Sequence, residues 1–140
     1  LFTVSPVRHT KDGMAENTLS KSKLIAALHE TVGAFENCTY LPVYEILMDD
    51  LRDYRFYKDD LIHPNAQAVQ YIFEKLGQAY FSDETKNFIQ DNFKIHQSLA
   101  HRSENAKDPK YLVFLQKLGE NIKNQQEKVK HKIFADARFF

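Results

Sequence analysis

Two short extended segments separated by one helical stretch constrain the folding of this chain more than any other feature. Leu1 to Ser5 reads Leu-Phe-Thr-Val-Ser, apolar and β-branched, and Pro6 closes it. Cys38 to Leu41 is a second such segment, ended by Pro42. Between them a polar loop from Arg8 to Asn17 contains Gly13. Leu24, Leu28, Val32 and Phe35 then recur at helical spacing, with Ile25 on the flank and Ser20 placed to cap. Strand, helix, strand with short links predicts a βαβ unit with a right-handed crossover. Two strands, however, cannot make an independently stable α/β sheet with both faces covered. The expectation is that further strands lie upstream in a longer protein or come from another chain. A start on Leu1 rather than methionine agrees with a processed or cropped product.

The remainder reads as helical. Val43 to Leu51 places Tyr44, Leu47, Met48 and Leu51 on one face, and Arg52 to Tyr57 is irregular, aromatic and charged. Pro64 suits a first helical turn, and Val69, Ile72, Phe73, Leu76 and Tyr80 predict an amphipathic helix reaching about Phe81. From Ser82 the character changes. Phe88, Ile89, Phe93, Ile95 and Leu99 mark one long helix, and Asp108-Pro109 opens another. In that last helix Tyr111, Leu115, Leu118, Ile122, Gln125 and Val129 alternate steps of four and three, with Gly119 as a weak point. Joined by the polar link Arg102 to Lys107, the two helices predict an antiparallel hairpin, their seam better suited to intramolecular packing than to a coiled-coil dimer. The organisation expected is an α/β part over residues 1–82 and a helical hairpin over 83–140.

Composition narrows the partners. The chain has 140 residues, 43% of them hydrophobic and 13% aromatic, enough for a core in one domain or part of one. Nineteen basic residues balance nineteen acidic ones, and no basic run is longer than Lys128 to Lys132. Broad electrostatic capture of nucleic acid or anionic lipid therefore has little support. A single cysteine, Cys38, rules out an internal disulfide, fits a reducing, cytoplasmic compartment, and reads as a core residue on its strand. No apolar run is long enough for a bilayer, and no membrane partner is expected. Exposed sheet edges would favour a homo-oligomer.

The chemistry gathers at Asp60-Leu61-Ile62-His63-Pro64-Asn65. A histidine that accepts a proton during a reaction needs its ring held and its imidazolium favoured. A carboxylate on the far ring nitrogen does both. Three-residue spacing on a turn can bring Asp60 alongside His63. The plainer alternative is a helix N-terminus in which the aspartate favours the positive end and the histidine caps or packs. Arg8 and His9, just after the first strand, are candidates for substrate or oxyanion contact, with a structural hydrogen bond as the alternative. Arg52, Asp53, Tyr54 and Arg55 could shape a pocket or fix their loop by buried ion pairing. Ser5 lacks the Gly-x-Ser-x-Gly elbow that exposes a nucleophile. His29 reads as a surface or half-buried side chain, and His96, His101 and His131 are too scattered for a metal cluster.

The Asp60 to Asn65 stretch resembles the last block of SGNH hydrolases, the GDSL-type esterases and lipases. Three segments resemble, more narrowly, the GSCFA-domain branch of that superfamily. These are Thr3 to Gly13 (Thr-Val-Ser-Pro-Val-Arg-His-Thr-Lys-Asp-Gly), Tyr44 to Asp50 (Tyr-Glu-Ile-Leu-Met-Asp-Asp), and Leu51 to Tyr57 running into Asp60 and His63. The resemblance implies the C-terminal half of a flavodoxin-like three-layer α/β/α sandwich. It implies that His63 is the general base for a serine and that Asp60 orients it. It implies a small ester or acylated carbohydrate as substrate, and no metal or organic cofactor. The family's serine and oxyanion groups belong to earlier blocks: Gly13 is not followed by Ser-Cys-Phe, and no Gly-x-Asn-Asp occurs. This chain alone is expected not to hydrolyse esters. The competing expectation is a non-catalytic truncated product whose helices serve interaction or assembly.

Overall fold

The computed structural model describes residues 1–101 and 108–134, so the link expected at Arg102 to Lys107 lies outside the described residues. The chain divides into two compact units, Leu1–Tyr80 and Phe81–Phe140.

In the first unit Gly13 takes a left-handed φ of 100°, open to glycine without steric cost, and turns the chain into α1, Met14–Ala34. Glu16 sits in the first turn, where a carboxylate favours the positive helix end, and Ser20 lies inside the helix rather than at its cap. The buried residues of α1 are polar. Asn17 Oδ1 accepts the His9 N–H at 2.8 Å, and Lys21 Nζ donates to the Ser5 carbonyl at 2.6 Å. Burial pushes the Lys21 ammonium below its usual range. The helix thus grips the N-terminal segment through hydrogen bonds, while Leu24 and Phe35 of the expected apolar stripe stay exposed.

The expectation of a three-layer α/β sandwich is overturned. Among the described residues there are five α-helices and no strand. The two extended segments meet in a single parallel bridge, Phe2 to Tyr40, in which Phe2 N–H donates to Thr39 O and Leu41 N–H to Phe2 O, each at 2.8 Å. The ladder has little room to grow. Pro6 and Pro42 bring no N–H, and the Ser5 carbonyl is taken by Lys21.

After Pro42, α2 (Val43–Glu45) widens into a π-helical turn, Ile46–Leu51, that ends where Arg52 takes a left-handed φ of 44° and donates its N–H to Leu47 O at 3.1 Å. The turn carries Leu47 and Leu51 into a core with Phe56, Tyr57 and Ala68, against which Met48 and Tyr71 pack. A 3₁₀ turn, Tyr54–Phe56, delivers the two aromatics, and Asp53 caps it by accepting the Arg55 N–H at 2.8 Å. Next comes α3, Ala66–Tyr80, whose buried residues are the small Ala68 and Gly77; Val69, Phe73 and Tyr80 of the predicted stripe are exposed. The small Ala68 lets the helix pack against Leu47 and Leu51 of the π turn.

The second unit is built from α4 (Asp83–Ala100) and α5 (Pro109–Glu127). Ser82 caps α4 by accepting the Thr85 N–H, and Asp108 caps α5 by accepting the Lys110 N–H, with Pro109 just inside. His101 meets Tyr111 and Phe114, while Gln125 donates to the Phe88 carbonyl at 3.4 Å, so the helices run antiparallel. Ile95, Leu118, Ile122 and Phe134 form the core, with Leu99, Phe114 and Ile133 packed against it. Phe93 is exposed because two residues from Ile95 is nearly the opposite face of a helix. Ile122 has no exposed surface, whereas a Cβ on Gly119 would meet no atom within 4 Å. Ile122→Ala should therefore cost about 2–5 kcal/mol, and Gly119→Ala should gain roughly 0.5–1 kcal/mol, both read from urea denaturation followed by helical circular dichroism.

Candidate active site at Asp60 and His63

The segment between the 3₁₀ turn and α3 is a tight loop closed at its base by an antiparallel bridge between Tyr57 and Pro64. Lys58 N–H donates to His63 O at 2.8 Å, and Leu61 N–H to Lys58 O at 2.9 Å. Leu61 sits at a left-handed φ of 56°, unusual for a branched side chain. Asn65 ties the loop to its neighbours. Its N–H donates to Phe56 O, its Nδ2 donates to Arg55 O at 2.6 Å, and its Oδ1 caps α3 by accepting the Ala68 N–H at 3.0 Å. The helix therefore starts at Ala66, and Pro64 belongs to the bridge rather than to the first turn. An asparagine directly before the apolar run was the available signal for that cap.

Within this loop Asp60 uses both oxygens. Oδ1 accepts the N–H groups of Ile62 and His63 at 2.8 and 2.9 Å, and Oδ2 lies 2.8 Å from His63 Nδ1. Hydrogen bonds from the His63 and Ile62 amides, then from the imidazole, hold the Asp60 carboxyl down at about 2. At any pH near neutrality it is ionised and only accepts, so the ring proton sits on Nδ1. In the neutral imidazole Nε2 is then the acceptor, and it has no hydrogen-bond partner among the described residues. The pair is open to solvent, with 53% of the His63 side chain and 42% of that of Asp60 exposed.

Of the other candidates, Arg8 is half-buried and lies beside the loop. Its Nη1 donates to Leu61 O at 2.8 Å, and its guanidinium lies 4.4 Å from the centre of the Tyr57 ring and 5.4 Å from that of Tyr54. His9 is exposed, and its backbone N–H donates to Asn17 Oδ1. Arg8, Leu47, Met48, Arg52, Asp53, Tyr54 and Tyr57 line a shallow cleft of about 160 Å³. The ion pairs of this region, Arg52–Asp49 at 3.4 Å and Arg55–Asp53 at 3.9 Å, are exposed rather than buried. Ser5 Oγ accepts the Val7 N–H at 3.2 Å. Cys38 is half-buried beside Asn37, and the His29 ring packs on Tyr40, whose hydroxyl is pushed up to about 12 by burial and by its bond to Glu45. No group of three or more His, Cys, Asp or Glu side chains among the described residues could hold a metal ion, and none of their helices is long and apolar enough to cross a membrane.

Residues 1–76, which include the Asp60–His63 loop, match the GSCFA family. The chain belongs to that family. No curated protein and no solved structure gave a significant match. The GSCFA match begins at the first extended segment and ends within α3, so it takes in Arg8 and the cleft residues as well as the histidine loop.

The Asp60 carboxyl titrates at about 2 in the fold, against 3.8 for an unperturbed group. A folded value below the unfolded one contributes stability that is whole above about pH 4 and lost as pH falls through about 2. A carboxyl-carbon NMR titration should accordingly find Asp60 ionised through pH 3. The Ile62 and His63 amide shifts should move with the same midpoint.

Proposed function

We propose that His63, oriented by Asp60, is the general base of a serine-dependent ester hydrolase of the SGNH type, in which this chain is a C-terminal portion of the catalytic protein. The observation that carries this reading is the 2.8 Å contact between Asp60 Oδ2 and His63 Nδ1, which leaves Nε2 free to accept a proton. Membership in the GSCFA family supports it. The substrate is a small ester, with acyl groups on carbohydrate as the leading class.

The serine hydroxyl attacks the ester carbonyl carbon while its proton passes to His63 Nε2. Collapse of the tetrahedral intermediate breaks the carbon–oxygen bond to the alcohol, which leaves with that proton. Water then attacks the acyl-serine carbonyl, again losing a proton to Nε2; collapse breaks the bond to the serine oxygen, which takes that proton back, and the acid departs. Asp60 stays ionised throughout and balances the imidazolium. The serine and the oxyanion donors come from outside the described residues, and no step needs a metal or organic cofactor.

A second reading, an assembly module, is favoured by the exposed apolar side chains of the first unit, among them Leu19, Leu24 and Phe35. Hydrolysis of p-nitrophenyl acetate by the longest natural polypeptide containing this chain separates the two. His63→Ala should lower kcat by about 10²–10⁴, and Asp60→Asn should lower it in the same direction because the ring loses its fixed tautomer. Rates untouched by His63→Ala would remove this residue from the mechanism and leave the module reading. The 140-residue chain by itself should show no hydrolysis above background.

A further inference from the structure

The loop that aims Asp60 at His63 is held from both sides. Two consecutive peptide planes lie between Asp60 and Arg8. In the Leu61–Ile62 peptide the carbonyl accepts from Arg8 Nη1 at 2.8 Å, and the N–H on the opposite edge donates to Asp60 Oδ1 at 2.8 Å. In the Ile62–His63 peptide the carbonyl accepts the Arg8 backbone N–H at 3.4 Å, and the N–H donates to the same Asp60 oxygen at 2.9 Å. A peptide unit is rigid, so fixing its carbonyl fixes the direction of its N–H. Rotation of either plane would break an Arg8 bond and an Asp60 bond together.

The residue that leads into these two planes is under strain. Leu61 at φ 56° occupies the left-handed region, which crowds the Cβ of an L residue against its own backbone. Something must hold it there. The Arg8 guanidinium is itself seated on the Tyr57 ring, 4.4 Å from its centre, and that ring belongs to the buried core of the unit. The chain of support thus runs from the core through Tyr57 and Arg8 to two carbonyls, and across their peptides to the carboxylate.

We infer that Arg8 is a positioning residue: seated on Tyr57 and bonded to the Leu61 carbonyl, it holds the left-handed Leu61 turn whose amides aim Asp60 at His63. The inference rests on the proposed general-base role for its bearing on catalysis. Its test reads the imidazole itself, without substrate, so its failure and that of the hydrolase reading are distinguishable.

Long-range nitrogen NMR of the 140-residue chain at about pH 9, where imidazole is neutral, reports which ring nitrogen carries the proton. The wild-type chain should show His63 protonated on Nδ1. Arg8→Gln leaves a polar group at this half-buried site but falls short of the Leu61 carbonyl. It should raise the Nε2-protonated fraction several-fold with helical content unchanged. Adding Leu61→Gly, which takes the left-handed turn without penalty, should return the ring to its wild-type state. A folded Arg8→Gln chain with the wild-type tautomer overturns the inference, as does a double variant no different from the single one. Should Arg8→Gln alone fail to fold, the double variant decides: a folded chain with wild-type ring signals upholds the role, and any other result overturns it.

Discussion

The Asp60 carboxylate is the interaction on which the rest of this site depends, because its two oxygens do different work. One gathers the amides of Ile62 and His63 and so shapes the backbone; the other meets the imidazole. The same group therefore fixes where the ring starts and which way it faces. The Coulombic attraction of an exposed pair is weak. The geometry is instead carried by directional bonds to backbone groups, which do not fade with ionic strength as a surface ion pair does. That explains how an orientation can be well defined at a place open to water.

Those bonds extend outward into a continuous network. Asn65 joins the loop to the 3₁₀ turn through Phe56 and Arg55 and to α3 through its cap. Tyr57 bridges Pro64 and lies under Arg8. Below, Leu47 and Leu51 of the π turn, Phe56, Tyr57 and Ala68 form the apolar floor. The π turn matters here: its wider winding places Leu47 and Leu51 in that floor before Arg52 reverses the chain. Histidine, capping asparagine and core are parts of one arrangement rather than a motif laid on a separate scaffold.

What could be read from the sequence follows the range of the interactions. The Asp60–His63 contact spans three residues and depends on local geometry, so the spacing alone suggested it. The same holds for the start of α5 at Asp108-Pro109 and for the burial of Leu118, Ile122 and Gln125 along one helical seam. The sandwich expectation failed on non-local grounds. Leu1 to Ser5 and Cys38 to Leu41 have the composition of strands, but composition cannot say whether a ladder has neighbours, and here it stops at one bridge. The stripe on α3 misled for a related reason: helical periodicity marks a face, yet the buried residues of α3 are Ala68 and Gly77, and Ala68 is the one that joins the core with Leu47 and Leu51 of the π turn. Arg8 and Leu61 are 53 residues apart, and nothing at either position announces the other.

The exposure of the ring bears on how such a base must operate. An imidazole nitrogen facing bulk water exchanges its proton with solvent. It activates a hydroxyl only when that hydroxyl is held against it and water is displaced. Asp60 prepares His63 for this by fixing the tautomer, but it does not shield Nε2. The surface that brings the nucleophile must therefore also cover the ring. Arg8, Tyr57 and Asn65 hold the histidine side ready, so little of the binding free energy is consumed in ordering it.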